Sequence, residues 1–248
     1  MARRTLRARR ARGRFRTALP APALAFAAVL GLAAAPAQAA VWHTCEQWGN
    51  TSLNGYTLYN NIWGQGPGAQ CTWADSATSW GVWADHPDTG GIKSYPNAKK
   101  TVNRRLSALS SLTSSYQVRV PSAGSYNTAY DIWDTDYDYE VMLWVNHHGE
   151  VGPLGTPQGS VALGGHRWDV YKGRVPHPDG SSHEVFSFLR TSDSTSGTVD
   201  LLPVLKWIRD VKGWWGDETI GDVQFGYEIT SSAGGLDFVT DRLTVSAS

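Results

Sequence analysis

Most of the sequence from residue 55 to residue 245 alternates apolar and polar side chains with a period of two. Clusters of Gly, Pro, Asn and Ser break the alternation roughly every eight to fifteen residues. Successive side chains of a strand point to opposite faces, so this pattern specifies half-buried strands joined by turns, an antiparallel all-β chain. Candidate strands cover residues 55–63, 70–74, 79–84, 115–120, 126–133, 139–146, 159–163, 167–172, 183–190, 222–229 and 236–245. So many strands predict two packed sheets, a jelly-roll sandwich, rather than a small barrel. One segment breaks the pattern. Residues 200–214 place Leu201, Val204, Leu205, Ile208 and Val211 at helical spacing, with Asp200 as N-cap, Pro203 in the first turn and Gly213 near the end. A single amphipathic helix packed outside the sheets is expected.

The first 39 residues read differently. Residues 1–16 contain eight arginines and no acid, and residues 21–35 are mainly Ala, Leu, Val and Phe, followed by Ala37-Gln38-Ala39. That is the layout of a secretory signal peptide over residues 1–39, leaving one domain over residues 40–248 in a secreted protein. The apolar run is short of the roughly 20 residues that a membrane anchor needs. The pairs Arg3-Arg4 and Arg9-Arg10 fit twin-arginine export, but so basic a stretch produces such pairs anyway, and both routes stay open.

Removing the eight arginines from the 22 basic residues leaves 14 against 22 acidic ones, a formal charge of about −8. Nucleic acid and anionic membranes are therefore not expected as partners. The remaining chain suffices for one sizeable core, and a monomer is expected. In an oxidising compartment Cys45 and Cys71 are expected to form a disulfide, worth roughly 3 kcal/mol on chain-entropy grounds. His147 and His148 with Glu150 follow a strand, lack any metal-ligand spacing, and read as a solvated loop. No metal or other cofactor is called for.

Twelve tryptophans and ten tyrosines exceed what a β-sandwich core needs. Aromatic faces stack on the C–H faces of pyranose rings, so the surplus suggests a carbohydrate groove; large core residues, or a binding platform without catalysis, are the alternatives. In residues 139–146, period two puts Val141, Leu143 and Val145 on a core face, and Glu140, Met142, Trp144 and Asn146 on the other. In residues 222–228, Val223, Phe225 and Tyr227 oppose Gln224, Gly226 and Glu228, and Gly226 leaves a gap beside Glu228 that favours a substrate channel. A third strand sets Asn127, Ala129, Asp131 and Trp133 on one face. Two carboxylates flanking a glycosidic bond are the minimum equipment for its hydrolysis, and a third can orient the nucleophile.

These residues, in order along the chain, resemble the glycoside hydrolase family 12 endoglucanases. The resemblance runs through Cys45-Glu46-Gln47-Trp48, Tyr59-Asn60-Asn61-Ile62-Trp63-Gly64, Cys71, Ile92-Lys93-Ser94-Tyr95-Pro96-Asn97 and Ala129-Tyr130-Asp131. It continues through Tyr139-Glu140-Val141-Met142-Leu143-Trp144, Gly152-Pro153-Leu154-Gly155 and Val223-Gln224-Phe225-Gly226-Tyr227-Glu228. It implies a jelly roll with a long concave cleft and a retaining hydrolase of β-1,4-glucans. Glu140 then matches the nucleophile, Glu228 the acid/base and Asp131 the acid bonded to the nucleophile, with Trp48, Asn61, Trp63, Met142 and Trp144 lining the cleft and Cys45 paired with Cys71. A retaining enzyme holds its two carboxyl groups roughly 5–5.5 Å apart.

The chain departs from the family pattern in two places. Ile229 follows the acid/base where many members have Pro, and only eight residues separate Asp131 from Glu140. The short connection suggests a more open end of the cleft, suited to a branched glucan such as xyloglucan. An endo-β-1,4-glucanase is the leading reading, a xyloglucan-specific enzyme the first alternative and a non-catalytic carbohydrate-binding sandwich the second.

Overall fold

The computed structural model describes residues 40–248, so the predicted signal peptide lies outside the described residues. With strands numbered in chain order, one sheet has nine. From edge to edge they are β10 (Thr156–Leu163), β11 (His166–Pro176), β12 (Ser182–Arg190), β9 (Tyr139–His148), β8 (Ser125–Asp134), β14 (Thr219–Ser231), β6 (Asn97–Arg105), β3 (Tyr56–Tyr59) and β2 (Asn50–Leu53). The other has six: β1 (Trp42–Thr44), β4 (Ala69–Ser76), β5 (Ser79–Asp85), β15 (Leu236–Ala247), β7 (Leu112–Arg119) and β13 (Ser196–Asp200). Neighbouring strands are antiparallel except β9 and β12, which run parallel.

The two sheets pack through the faces that period two marks as apolar. Val141, Leu143 and Val145 of β9 and Val223, Phe225 and Tyr227 of β14 are fully buried in one cluster with Trp80, Tyr116 and Phe238 of the six-stranded sheet. Ring pairs bridge the layers: Tyr116 with Phe225 at 5.4 Å, Trp80 with Tyr227 at 5.6 Å and Tyr126 with Phe238 at 4.9 Å. Much of the aromatic surplus is therefore core. Each such ring buries a large apolar area in offset or edge contacts.

The helical segment is shorter than predicted. An α-turn runs over Leu202–Trp207, continues as a π-turn over Ile208–Lys212, and stops at Gly213, whose φ of 62° only glycine adopts freely. Asp200 ends β13 instead of capping the helix, and Leu201 takes the N-cap position without a side-chain bond. Leu201, Val204, Leu205 and Ile208 are buried, whereas Val211 is exposed. The buried set joins the main core, where Trp207 meets Phe188 of β12 at 5.8 Å.

β1, β2, β6 and β13 carry little alternation and were not among the expected strands. β6 reads Asn-Ala-Lys-Lys-Thr-Val-Asn-Arg-Arg, and its strand character comes from pairing on both sides, with β14 and β3. Among the described residues, no helix is long and apolar enough to cross a membrane.

Candidate active site

The other face of the nine-stranded sheet forms a cleft of about 740 Å³. Asp131 and Trp133 reach it from β8, Glu140, Met142 and Trp144 from β9, and Gln224 and Glu228 from β14. Register aligns them, with Gln224 opposite Asp131, Asp131 opposite Met142 and Trp133 opposite Glu140. Directly paired residues share a face, so three consecutive strands of the sheet deliver all three acids to one place.

The wall beyond β14 comes from two irregular segments. Ile62 pairs with Ser94, and Ser94 pairs with Ile229, so Asn61 and Trp63 are carried to the cleft beside the end of β14. Asn61 donates from Nδ2 to the Tyr95 carbonyl at 3.1 Å, and its φ of 45° is tolerated by Asn better than by most residues. Buried Asn60 braces the same segment, accepting from Thr72 Oγ1 at 2.7 Å and from Gln70 Nε2 at 2.9 Å. Cys45 and Cys71 are joined as a disulfide, 26 residues apart. The loop it anchors carries Trp48, which is 59% exposed and stands outside the cleft lining.

Ile229 settles how Glu228 is held. Its N–H donates to the Ser94 carbonyl at 3.0 Å and its carbonyl accepts from Lys93 N–H at 2.8 Å. Proline lacks that donor. Ile229 thus keeps β14 paired through the acid and on to Ser231, and its side chain is fully buried in the core.

Asn146, predicted on the cleft face, does not line the cleft. Trp144 pairs with Ala129 but Asn146 pairs with Thr128, a β-bulge with one extra residue on β9. The bulge reverses parity and puts Asn146 on the face of Thr128. It turns His147 onto the face of Asn127, its partner in register. The two histidines read as a loop are in fact the last residues of β9. Gly226 also has a different role from the expected one. A Cβ there would lie 2.1 Å from the Pro96 carbonyl oxygen, so glycine admits the Pro96–Asn97 backbone and opens no space for substrate.

The short connection between β8 and β9 does not leave its end of the cleft bare. Asp134 folds the turn, accepting the N–H of Asp136 at 3.2 Å and of Tyr139 at 2.9 Å. Tyr137, at φ 61°, is exposed, lines the cleft and lies 5.6 Å from the Trp133 ring.

Four functional neighbours were not singled out from sequence. Asn127 donates from Nδ2 to Glu228 Oε2. Trp133 Nε1 donates to Asp131 Oδ2 at 2.9 Å. Tyr95 is buried among the acids and donates its hydroxyl to the Ala129 carbonyl at 3.1 Å. His183 Nε2 lies 3.0 Å from Glu140 Oε2. Asn127 sat on a predicted cleft-facing strand and Tyr95 in a quoted motif, whereas His183 gave no signal beyond heading a strand.

Burial dominates the electrostatics. It lifts Asp131 well above the carboxylate range, reinforced by Glu140 and opposed by the Trp133 N–H. It raises Glu140 too, with repulsion from Glu228 second and a hydrogen bond to Asp131 pulling the other way. Glu228 is pushed up to about 7 by burial, against the bond from Asn127. Three acids this close and this dry cannot all be ionised near neutral pH. The cluster holds protons there, so one carboxyl can donate while another stays an anion.

The description "Glycosyl hydrolase family 12" matches residues 54–246. A probable xyloglucan-specific endo-β-1,4-glucanase A of Aspergillus terreus is 33% identical over 203 residues, which is 74% of this chain and 79% of that protein. Endoglucanase S of Pectobacterium parmentieri is 32% identical over 218 residues, 77% of this chain and 82% of that protein. The solved xyloglucanase domain of a type three effector from Sinorhizobium fredii, in complex with cellobiose, is similar at a TM-score of 0.80 and 38% identity. That likeness covers 85% of this chain and all of that one. Two sheets, a cleft bearing three acids and a family match over most of the sequence lead to one assignment: the chain belongs to glycosyl hydrolase family 12.

Proposed function

We propose that this chain is a retaining endo-β-1,4-glucanase in which Glu140 is the nucleophile, Glu228 the acid/base and Asp131 the acid that holds a proton against Glu140. In the first step Glu228 protonates the glycosidic oxygen as a Glu140 oxygen attacks the anomeric carbon, releasing one part of the glucan and leaving the other esterified to Glu140. In the second, Glu228 takes a proton from water, which attacks the same carbon and frees Glu140. Both carboxyls end in their starting states.

The observation that carries this reading is the gathering of Asp131, Glu140 and Glu228 in one buried, aromatic-lined cleft. The lining runs from Asn61 and Trp63 on one side, across β14, β8 and β9, to Val175 and His183 on the other. A groove crossing so many strands suits the middle of a polymer, hence internal cleavage. Met142, Trp144, Asn61 and Trp63 are assigned to sugar contacts, and exposed Trp48 to an outlying one.

Xyloglucan is the second reading for substrate, favoured by the xyloglucan-specific name of the Aspergillus terreus relative and the xyloglucanase name of the Sinorhizobium fredii domain. Export is proposed from the arginine-rich, apolar leader and the disulfide.

Glu140→Gln and Glu228→Gln are each expected to abolish hydrolysis of β-glucan in a folded protein; full activity in either overturns the assignment. NMR of the first-formed product should show the β anomer, and an α product would exclude Glu140 as nucleophile. Initial rates on xyloglucan, mixed-linkage glucan and carboxymethyl-cellulose decide the substrate.

A further inference from the structure

Two histidines form a hydrogen-bonded chain that ends on Glu140. His183, at the start of β12, is only 8% exposed, and its Nε2 lies 3.0 Å from Glu140 Oε2. Its Nδ1 lies 2.7 Å from Nε2 of His177, whose own Nδ1 lies 3.0 Å from Ser181 Oγ. A tight turn supports the arrangement. His177 N–H donates to the Ser181 carbonyl at 2.8 Å, and Gly180, at φ 86°, returns its N–H to the His177 carbonyl at 3.1 Å. On the other side the Trp133 ring packs 4.9 Å from the His183 ring. Parallel pairing of Val185 with Glu140 sets His183, two residues earlier, on the same cleft face. The intervening Glu184 is occupied by Lys172 at 3.3 Å and by Arg174.

We propose that His183 is a positioning residue for the nucleophile and that His177 fixes its tautomer. This rests on the reading of Glu140 as nucleophile. An ionised carboxylate only accepts hydrogen bonds, so His183 must present an N–H from Nε2. In a neutral ring Nδ1 is then bare and needs a donor, and His177 Nε2–H supplies it, while His177 Nδ1–H meets Ser181 Oγ, whose own proton goes to Asp179 Oδ1 at 2.7 Å. Burial lowers the His183 pKa, which suits a neutral donor. The bond fixes Oε2 and, together with the hydrogen bond to Asp131, favours the anion of a carboxyl whose ionisation burial and Glu228 oppose. The logic is that of a nucleophile and partner oriented by a third group.

The test uses the whole chain and 2,4-dinitrophenyl β-cellobioside, whose leaving group departs without a proton from Glu228. The burst rate then reports attack by Glu140. His183→Ala should slow it about 10- to 100-fold with KM changed less than about threefold. His183→Gln, which keeps an N–H donor, should recover part of the loss; if His183→Ala does not fold, the His183→Gln burst rate and its KM carry the test. His177→Ala should slow the burst about 3- to 10-fold, and imidazole ¹⁵N shifts should show His183 leaving its Nε2–H tautomer. A wild-type burst rate in folded His183→Ala, or an Nδ1–H tautomer in the native protein, overturns the proposal.

Glu140→Gly with azide separates this proposal from the reading beneath it. Formation of α-cellobiosyl azide supports Glu140 as nucleophile, and its absence removes that reading whatever His183 does. In the azide-rescued background His183→Ala should cost less than about twofold, because the oxygen it orients is gone. An undiminished penalty there means that His183 acts elsewhere, and the proposal fails.

Discussion

The two faces of β8, β9 and β14 are built from the same strands and meet opposite requirements. On the core face, Tyr130, Ile132, Val141, Leu143, Val223 and Phe225 are fully buried and apolar except for hydroxyls. On the cleft face, Asp131, Glu140, Trp144 and Glu228 are also largely dry, yet they carry charge and donors. Trp144 Nε1 is buried with no partner in the protein. A buried polar group without a partner normally costs about 1–3 kcal/mol. One face spends the sheet's order on stability and the other stores polar groups that a ligand can satisfy.

Exchanging side chains between these roles gives the largest effects. Glu140→Gln is nearly isosteric and should leave the melting temperature within a few degrees while lowering β-glucan hydrolysis at least about a thousandfold. If the variant unfolded instead, the cleft face would be structural and the contrast would collapse. Phe225→Ala, one residue beyond Gln224 on the opposite face, should do the reverse. Removing a fully buried ring packed on Tyr116 and Tyr130 should cost about 3–5 kcal/mol in denaturant unfolding. The kcat of whatever remains folded should stay near wild type.

This contrast was largely readable from sequence because it depends on one local variable, the parity of a residue along its strand. Val141 against Glu140, and Phe225 against Gln224, follow from the period alone. The three acids were legible for the same reason, although their roles came from family resemblance. Parity fails wherever the backbone gains a residue, and the bulge after Trp144 leaves no composition signal because Val145 and Asn146 look like ordinary strand residues. Long-range pairs fail for another reason. Asn127 meets Glu228 across 101 residues, and His183 meets Glu140 across 43, contacts set by sheet order. Gly226 was read as space for a ligand when it is space for the Pro96–Asn97 backbone, a distinction that no single-strand pattern contains.

Stability against pH sharpens the comparison further, because the cleft face carries the carboxyls Asp131, Glu140 and Glu228, whose pKa values burial raises. Glu228 has its pKa raised from 4.5 to about 7 by burial. The native state therefore binds the proton more tightly than the unfolded chain does. The associated stability is complete below about pH 4.5 and is lost as pH rises through about 7. Glu228→Gln, neutral at every pH, should remove that loss and be more stable than wild type at pH 8 by about 1–3 kcal/mol, with little difference at pH 4. The same deprotonation removes the proton donor, so kcat/KM should fall on the basic side with an apparent pKa near 7. A stability difference between the two proteins that does not vary with pH would mean that the cleft carboxyl is solvated, and the two faces would differ less than their burial indicates.

The smallest effect concerns the border between the faces. By parity Asn146 continues the row of Glu140, Met142 and Trp144 and belongs to the sugar contacts. By pairing it sits opposite Thr128, on the core side of the bulge, with its Oδ1 buried and unpartnered. His147 instead takes the position opposite Asn127, with Nδ1 3.0 Å from Asp193 and its ring 6.4 Å from that of Trp144. Asn146→Ala should therefore leave KM and kcat on β-glucan within about twofold, since it removes a side chain that faces no substrate. His147→Ala, at an exposed site, should raise KM by only a few-fold. If Asn146→Ala raised KM tenfold while His147→Ala did nothing, the uninterrupted period would describe the cleft better than the bulge does. The division between the two faces would then extend one residue further along β9 than the register places it.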